Sequence, residues 1–215
     1  MRSDVDLLDS LLQSQGVIIE TLRQEEIDVY LFLADRYQAT SDIRTDHIFQ
    51  FVFRSYYRLD NAGLTDAFKD LYFETLAECR KGSRIELPLL CRRLYDIPNR
   101  KGQKTLQFSF ATKLVSMADK ELPIFDLYVA KAYRFVAPQT DRGLDARIEA
   151  YMTFYEHLRT SANWLKQQPD YCRFLDNVGN ARRGWERLTE ARKTDFLLWT
   201  AGKVDLMQQE QARGT

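Results

Sequence analysis

The chain has few cysteines, and their arrangement excludes several kinds of site. Its 215 residues include three, Cys79, Cys91 and Cys172, with no Cys-x-x-Cys motif and no neighbouring pair of histidines. This odd, widely spaced set predicts neither a disulfide framework nor a zinc site, and a four-cysteine iron–sulfur cluster would need one more thiol. We therefore expect reduced, mostly buried thiols, and neither a metal nor a cofactor.

Long apolar runs are also missing. No segment reaches the ~18 consecutive apolar residues of a membrane-spanning helix, and the first residues, MRSDVDLLDS, lack the basic start and apolar middle of a signal peptide. Hydrophobic residues nevertheless make up 45% of the chain and aromatic residues 13%, which is enough for a substantial core. These features predict a folded cytoplasmic protein with no membrane partner.

Charge of one sign is not in excess, because the formal net charge is zero. Bulk electrostatics alone would therefore not hold the protein on nucleic acid. The charges are unevenly distributed, however. Residues 1–78 hold 7 basic and 15 acidic side chains, residues 79–113 hold 9 and 2, and residues 114–215 hold 15 and 14. Positive charge is concentrated in the segment that ends at Lys113.

Apolar side chains recur at helical spacing through most of the chain, which predicts an all-α fold. The aromatic-rich run 47–59 would also suit a strand, but no hairpin partner lies near it, so we interpret it as a helix. Helices are predicted over 4–12, 17–37, 47–59, 64–79, 88–95, 105–117, 126–136, 144–159, 162–166, 169–177, 180–188 and 194–200.

One lysine and one carboxylate stand near two predicted helix starts, in the segment SFATKLVSMADKELPIFD. Asp126 follows Lys113 by thirteen residues. A lysine whose pKa is lowered by burial or by positive neighbours can form a Schiff base with a sugar or carbonyl carbon, and a nearby carboxylate can manage its protons. Each residue also has a simpler interpretation, Lys113 as a solvated lysine on a helix flank and Asp126 as a helix cap.

A group of basic side chains lies shortly before this pair, around the turn Pro98–Gly102. In this setting they suit contact with a phosphate backbone, but a solvated loop explains them equally well. The group consists of Arg92, Arg93, Arg100, Lys101 and Lys104.

Two motifs resemble those of helix-hairpin-helix (HhH-GPD) DNA glycosylases of the 8-oxoguanine type. SFATK, ending at Lys113, is similar to the Gly-x-Gly-Thr-Lys end of their hairpin, and Asp126 matches the aspartate at the next helix start. TDFLLWTAGKV resembles the Leu-Asp-x-x-x-Trp and Gly-Lys ending of the shorter archaeal and bacterial members and their uncharacterised relatives, with Trp199 and Lys203 at the matching positions. The resemblance covers roughly residues 45–205 in order, and its specific part lies in these two regions.

The resemblance implies a two-lobed helical bundle with a central cleft that receives a base flipped out of DNA. It implies that Lys113 is the Schiff-base nucleophile of a glycosylase and lyase in DNA repair, and that Asp126 assists it. Trp199 and Lys203 would lie at the base pocket, and Ser109 and Ala111 at the phosphate-contacting hairpin. Because Ser109 and Ala111 replace glycines, we expect a remodelled hairpin.

The predicted organisation is a single compact unit that acts as a monomer. One lobe comprises roughly residues 45–136 and the other comprises 1–44 with 137–205, followed by a frayed tail over 206–215. The expected substrate is DNA carrying an oxidised purine such as 8-oxoguanine. Two alternatives remain, a non-catalytic module on the same fold that binds nucleic acid or protein, and a helical interaction protein that uses its acidic first third.

Overall fold

The computed structural model of the chain describes residues 1–213, with side chains described through Gln209. This part of the chain is all-helical, as predicted, with eleven α-helices, two short 3₁₀ helices (Asp60–Ala62 and Trp185–Arg187) and no strand. The α-helices are α1 Asp4–Gln13, α2 Gln15–Thr21, α3 Gln24–Ala39, α4 His47–Tyr56, α5 Asp66–Arg80, α6 Leu87–Tyr95, α7 Phe108–Ala118, α8 Leu127–Ala132, α9 Leu144–Leu165, α10 Pro169–Ala181 and α11 Glu190–Arg213.

The helix predicted over 17–37 is in fact two helices, α2 and α3. Leu22 and Arg23 between them are extended, with φ/ψ of −68°/111° and −87°/146°. The Arg182 guanidinium donates hydrogen bonds to the carbonyls of Ile19 and Leu22, which satisfies backbone groups left open at the end of α2. Arg182, a residue distant in the sequence, therefore stabilises the break between α2 and α3.

Two segments predicted separately, 144–159 and 162–166, belong to the single helix α9. Polar residues within it bond locally or to the core, so they do not interrupt it: Thr160 Oγ1 donates to the carbonyl of His157, and Ser161 Oγ accepts from Tyr133 Oη at 2.9 Å. The last helix, α11, runs to Arg213 where the sequence predicted a frayed tail from residue 206, and residues 214–215 lie outside the described part.

No helix within residues 1–213 is both long enough and apolar enough to cross a membrane.

Aromatic packing places α7 in the centre of the molecule. Phe53 contacts Tyr72 and Phe73 of α5 with ring centroids 5.7 Å apart in both pairs. Tyr72 then donates its hydroxyl to the carbonyl of Phe110 in α7 at 3.0 Å. The core thus fixes α7, which carries Lys113, against α4 and α5.

Helices α8 and α11 approach each other at backbone distance. A Cβ atom added to Gly202 would lie 1.9 Å from the carbonyl oxygen of Tyr128, so only glycine fits at this point of α11. Beside it, the rings of Tyr128 and Trp199 pack edge to face with centroids 5.3 Å apart. This contact fixes the start of α8, where Asp126 lies.

We predict that Gly202→Ala destabilises the protein by about 1–3 kcal/mol or more, because the new methyl group must push α8 away from α11. Gly16→Ala is the matched control: its Cβ meets no atom within 4 Å inside α2, so it should leave stability equal or raise it by about 0.5–1 kcal/mol. Urea unfolding of the two variants measures the difference. Equal stability of the two would contradict the close contact.

Candidate active site

A cavity of about 840 Å³ opens between α3, α4, α7, α8 and α11. Its wall draws on both predicted lobes, since α4, α7 and α8 belong to one and α3 and α11 to the other. The side chains that carry charge in this wall are Arg23, Glu25, Glu26, Arg58, Lys113, Asp126, Arg192 and Asp195, and the aromatic ones are Tyr30, Phe51, Tyr56, Tyr57, Phe110, Tyr128, Phe196 and Trp199.

The segment 122–126 between α7 and α8, named here the anchor segment, is held by three helices. Asp195 of α11 accepts the N–H of Ile124 at 3.2 Å with each carboxylate oxygen, and Arg192 of the same helix donates to the carbonyl of Leu122. Tyr155 of α9 donates to the carbonyl of Pro123 at 2.9 Å, and Thr112 of α7 accepts the N–H of Phe125 at 3.1 Å. These bonds fix the backbone that leads into Asp126.

Asp126 caps α8, as its position in the sequence predicts. One carboxylate oxygen accepts the N–H groups of Tyr128 at 2.9 Å and Val129 at 3.0 Å. Thr112, bonded to the neighbouring Phe125, directly precedes Lys113 in the chain. The same local contacts therefore bring Lys113 and Asp126 into the wall of one cavity.

The amine of Lys113 lies among aromatic rings. Its Nζ atom is 5.2 Å from the ring centre of Phe110 and 5.7 Å from that of Tyr57, and it forms no ion pair with any side chain described in residues 1–209. Burial lowers the pKa of Lys113, the positive charge of Arg58 lowers it further, and Asp126 acts in the opposite direction. The neutral, nucleophilic form of the amine is thereby favoured.

Burial raises the pKa of the Asp126 carboxyl, although Lys113, the two backbone N–H groups of α8 and the Trp199 side chain all favour its charged form. The two shifts are opposite in sign, so the pKa values of this amine and this carboxyl lie closer together than those of free lysine and aspartate. Two groups perturbed in this way in one cavity are typical of a catalytic pair.

Trp199 and Lys203, the two residues predicted for a base pocket, differ in their position relative to the cavity. Trp199 lines the cavity, whereas Lys203 lies behind it, with Nζ 4.9 Å from the ring centre of Trp199 and 3.8 Å from Glu26 Oε1. Lys203 thus joins the indole to a carboxylate of α3, and both of these partners line the cavity.

The basic group of residues 92–104 is separate from the described cavity wall. Arg92 pairs with Asp145 at 2.9 Å, Arg93 with Glu78 at 3.9 Å and Lys104 with Asp96 at 2.9 Å. Arg100 and Lys101 have no ion-pair partner among the side chains through Gln209. Of the five basic residues, these two therefore have a positive charge that no described carboxylate neutralises.

Ser109 and Ala111, the two residues predicted to contact phosphate at the hairpin, lie in different environments. Ser109 lines the cavity. Ala111 is fully buried, and its N–H, which the resemblance assigns to DNA contact, donates to the carbonyl of Gln107 at the start of α7. Helices α6 and α7 are joined by the twelve residues 96–107, and Lys113 lies one turn and a half inside α7.

Several cavity residues escaped the sequence analysis. Arg58 is exposed at the cavity with a left-handed φ of 60°, which a non-glycine residue adopts only at some strain. Arg192 and Asp195 form a buried ion pair of 2.7 Å on α11. Opposite charges three residues apart were the available signal for this pair, and nothing in the sequence marks Arg58.

A scan against protein-family models and searches of curated proteins and of solved structures each found no match to this chain. Function is therefore inferred from the cavity and from the motifs in the sequence.

Substitutions of Asp126 can separate its role as the cap of α8 from its role as a charged group in the cavity. Asp126→Asn keeps an oxygen that can accept from α8 and should change the free energy of unfolding by about 0.5 kcal/mol or less, whereas Asp126→Ala should lose about 1 kcal/mol with the cap. Denaturant titration of both variants measures this. If Asp126→Asn were as destabilised as Asp126→Ala, the charge and not the cap would be what α8 needs.

The pKa of Lys113 can be measured directly by reductive ¹³C-methylation and NMR. We expect it to be lower in the folded protein than in the urea-unfolded chain, because burial disfavours the charged amine. In Asp126→Asn it should fall further, since the carboxylate that stabilises the charge is gone. An equal pKa in the folded and unfolded states would show that the amine is solvated.

Proposed function

We propose that the protein is a DNA glycosylase with lyase activity that acts on an oxidised purine such as 8-oxoguanine. The observation that carries this proposal is the presence of Lys113 and Asp126 in one cavity, with pKa shifts towards each other. The order of the motifs SFATK, Asp126 and the Trp199 to Lys203 ending supports the same family of HhH-GPD enzymes.

The chemistry follows from the two groups. The neutral Lys113 amine attacks the sugar carbon that bears the base, and a nitrogen–carbon bond forms as the glycosidic bond breaks and the base leaves with its electron pair. Asp126 takes the proton released by the amine and stabilises positive charge on the sugar. Opening of the sugar ring gives an imine, and loss of a proton from the adjacent carbon expels the 3′ phosphate and nicks the strand.

The cavity has suitable dimensions and surfaces for a flipped base. Its volume of about 840 Å³ falls in the range of pockets for small ligands, roughly 300–1,000 Å³. Tyr57, Phe110 and Trp199 offer aromatic faces on which a base can stack. Phe51 and Leu127 belong to the wall yet are 62% and 64% exposed, so they mark an apolar mouth that suits contact with the unstacked duplex.

Borohydride trapping tests the proposal. With a duplex that contains 8-oxoguanine, the wild-type protein should give a covalent adduct after reduction of the imine, and Lys113→Gln should give none because the nucleophile is gone. Lys120→Gln is the matched control, since Lys120 lies outside the described cavity wall, and it should retain the adduct. Circular dichroism checks that both variants fold.

An adduct that survives in Lys113→Gln would show that Lys113 is not the nucleophile. Salt-sensitive binding of the duplex without an adduct in the wild-type protein would favour the non-catalytic binding module instead.

A further inference from the structure

Three side chains of the cavity wall carry buried polar atoms without partners. They are Tyr30 Oη, Tyr57 Oη, and the Nε and Nη1 atoms of Arg192, none of which has a hydrogen-bond partner among the described residues. The side chains are 3%, 6% and 1% exposed, so bulk water does not satisfy these atoms. Buried polar groups are almost always paired in native proteins, so three unpaired side chains in one cavity wall offer hydrogen bonds to whatever occupies the cavity, a ligand or ordered water.

The ion pair and the hydrogen bond that Arg192 forms within the protein show how its positive charge is balanced. Its Nη2 atom lies 2.7 Å from Asp195 Oδ2 and also donates to the carbonyl of Leu122, which fixes the guanidinium in place. Burial raises the pKa of the Asp195 carboxyl, and the adjacent Arg192 opposes this by stabilising the charged form. With its counter-ion already present, Arg192 needs hydrogen-bond acceptors more than it needs another negative charge.

We propose that Arg192, Tyr30 and Tyr57 form a subsite that binds the carbonyl-bearing edge of a purine base. A neutral carbonyl suits a cluster already balanced by Asp195, whereas a phosphate would place an uncompensated charge beside that carboxylate. The Arg192 nitrogens only donate, so they favour an acceptor oxygen, and the tyrosine hydroxyls can donate or accept along the rest of the edge.

The subsite selects between purines at carbon 6. A carbonyl there, as in guanine or hypoxanthine, accepts from Arg192, while the amino group of adenine would set donor against donor and leave buried groups unpaired. Sites that depend on such a hydrogen bond discriminate far more strongly than apolar pockets do. This inference rests on the proposed function, since it takes the ligand of the cavity to be a nucleobase.

Equilibrium binding tests the subsite without any chemistry. In the Lys113→Gln background, titration calorimetry should show 2′-deoxyinosine, with a carbonyl at carbon 6 and an N–H at nitrogen 1, binding at least about tenfold more tightly than 2′-deoxyadenosine, which has an amino group and an unprotonated nitrogen there. Tyr30→Phe and Tyr57→Phe should each reduce this preference about threefold or more, and Arg192→Met should abolish it.

The tyrosine variants keep the test independent of folding. Each hydroxyl lacks a partner within the described protein, so its removal should leave the free energy of unfolding equal or higher, whereas Arg192→Met leaves Asp195 unpaired and is expected to be less stable. Phe51→Leu is a control that alters the exposed mouth of the same cavity, and it should affect the binding of both nucleosides alike.

Equal affinity for the two nucleosides, no binding of either, or an unchanged preference in Tyr30→Phe and Tyr57→Phe would overturn the subsite. These outcomes are distinct from failure of the proposed function. A borohydride adduct without the nucleoside preference would refute the subsite and support the glycosylase reaction. The nucleoside preference without an adduct would support the subsite and refute the reaction.

Discussion

The arrangement of the cavity depends on the hydrogen bonds that hold the anchor segment, residues 122–126. Helices α7, α9 and α11 each bond a different backbone group of this short stretch, and the stretch ends in the carboxylate that caps α8. Because the segment has no regular secondary structure, these side-chain partners replace the bonds that a helix would supply. Asp126 therefore has a fixed position relative to α7, and through α7 relative to Lys113.

The same region contains features that oppose stability. A lysine amine is buried among aromatic rings, an arginine is buried with two nitrogens unpaired, and Arg58 adopts a left-handed conformation. Each is unfavourable for folding on its own, and together they surround one cavity. Concentration of strain and of unpaired polar groups in one place is characteristic of a functional site, where the rest of the fold compensates for it. The aromatic core around Phe53 and the close contact at Gly202 provide that compensation.

Local patterns in the sequence predicted the helical class, the starts of α1, α6 and α8 to within one residue, and the presence of a lysine and a carboxylate at adjacent elements. They could not predict the break between α2 and α3, because Arg182 that stabilises it lies some 160 residues away. For the same reason the Tyr30, Tyr57 and Arg192 cluster was missed, since Arg192 of α11 lies far along the chain from α3 and from the end of α4. The burial of Ala111 was not predictable either, because a motif match carries no information on burial.

The central claim is that the Lys113 amine is the nucleophile of this cavity, and peptide mapping of the reduced adduct tests it most directly. Wild-type protein is reduced with borohydride in the presence of an 8-oxoguanine duplex, digested and sequenced by tandem mass spectrometry. We expect a sugar remnant on the peptide that contains Lys113. A remnant on another lysine or on the N-terminal amine would contradict it.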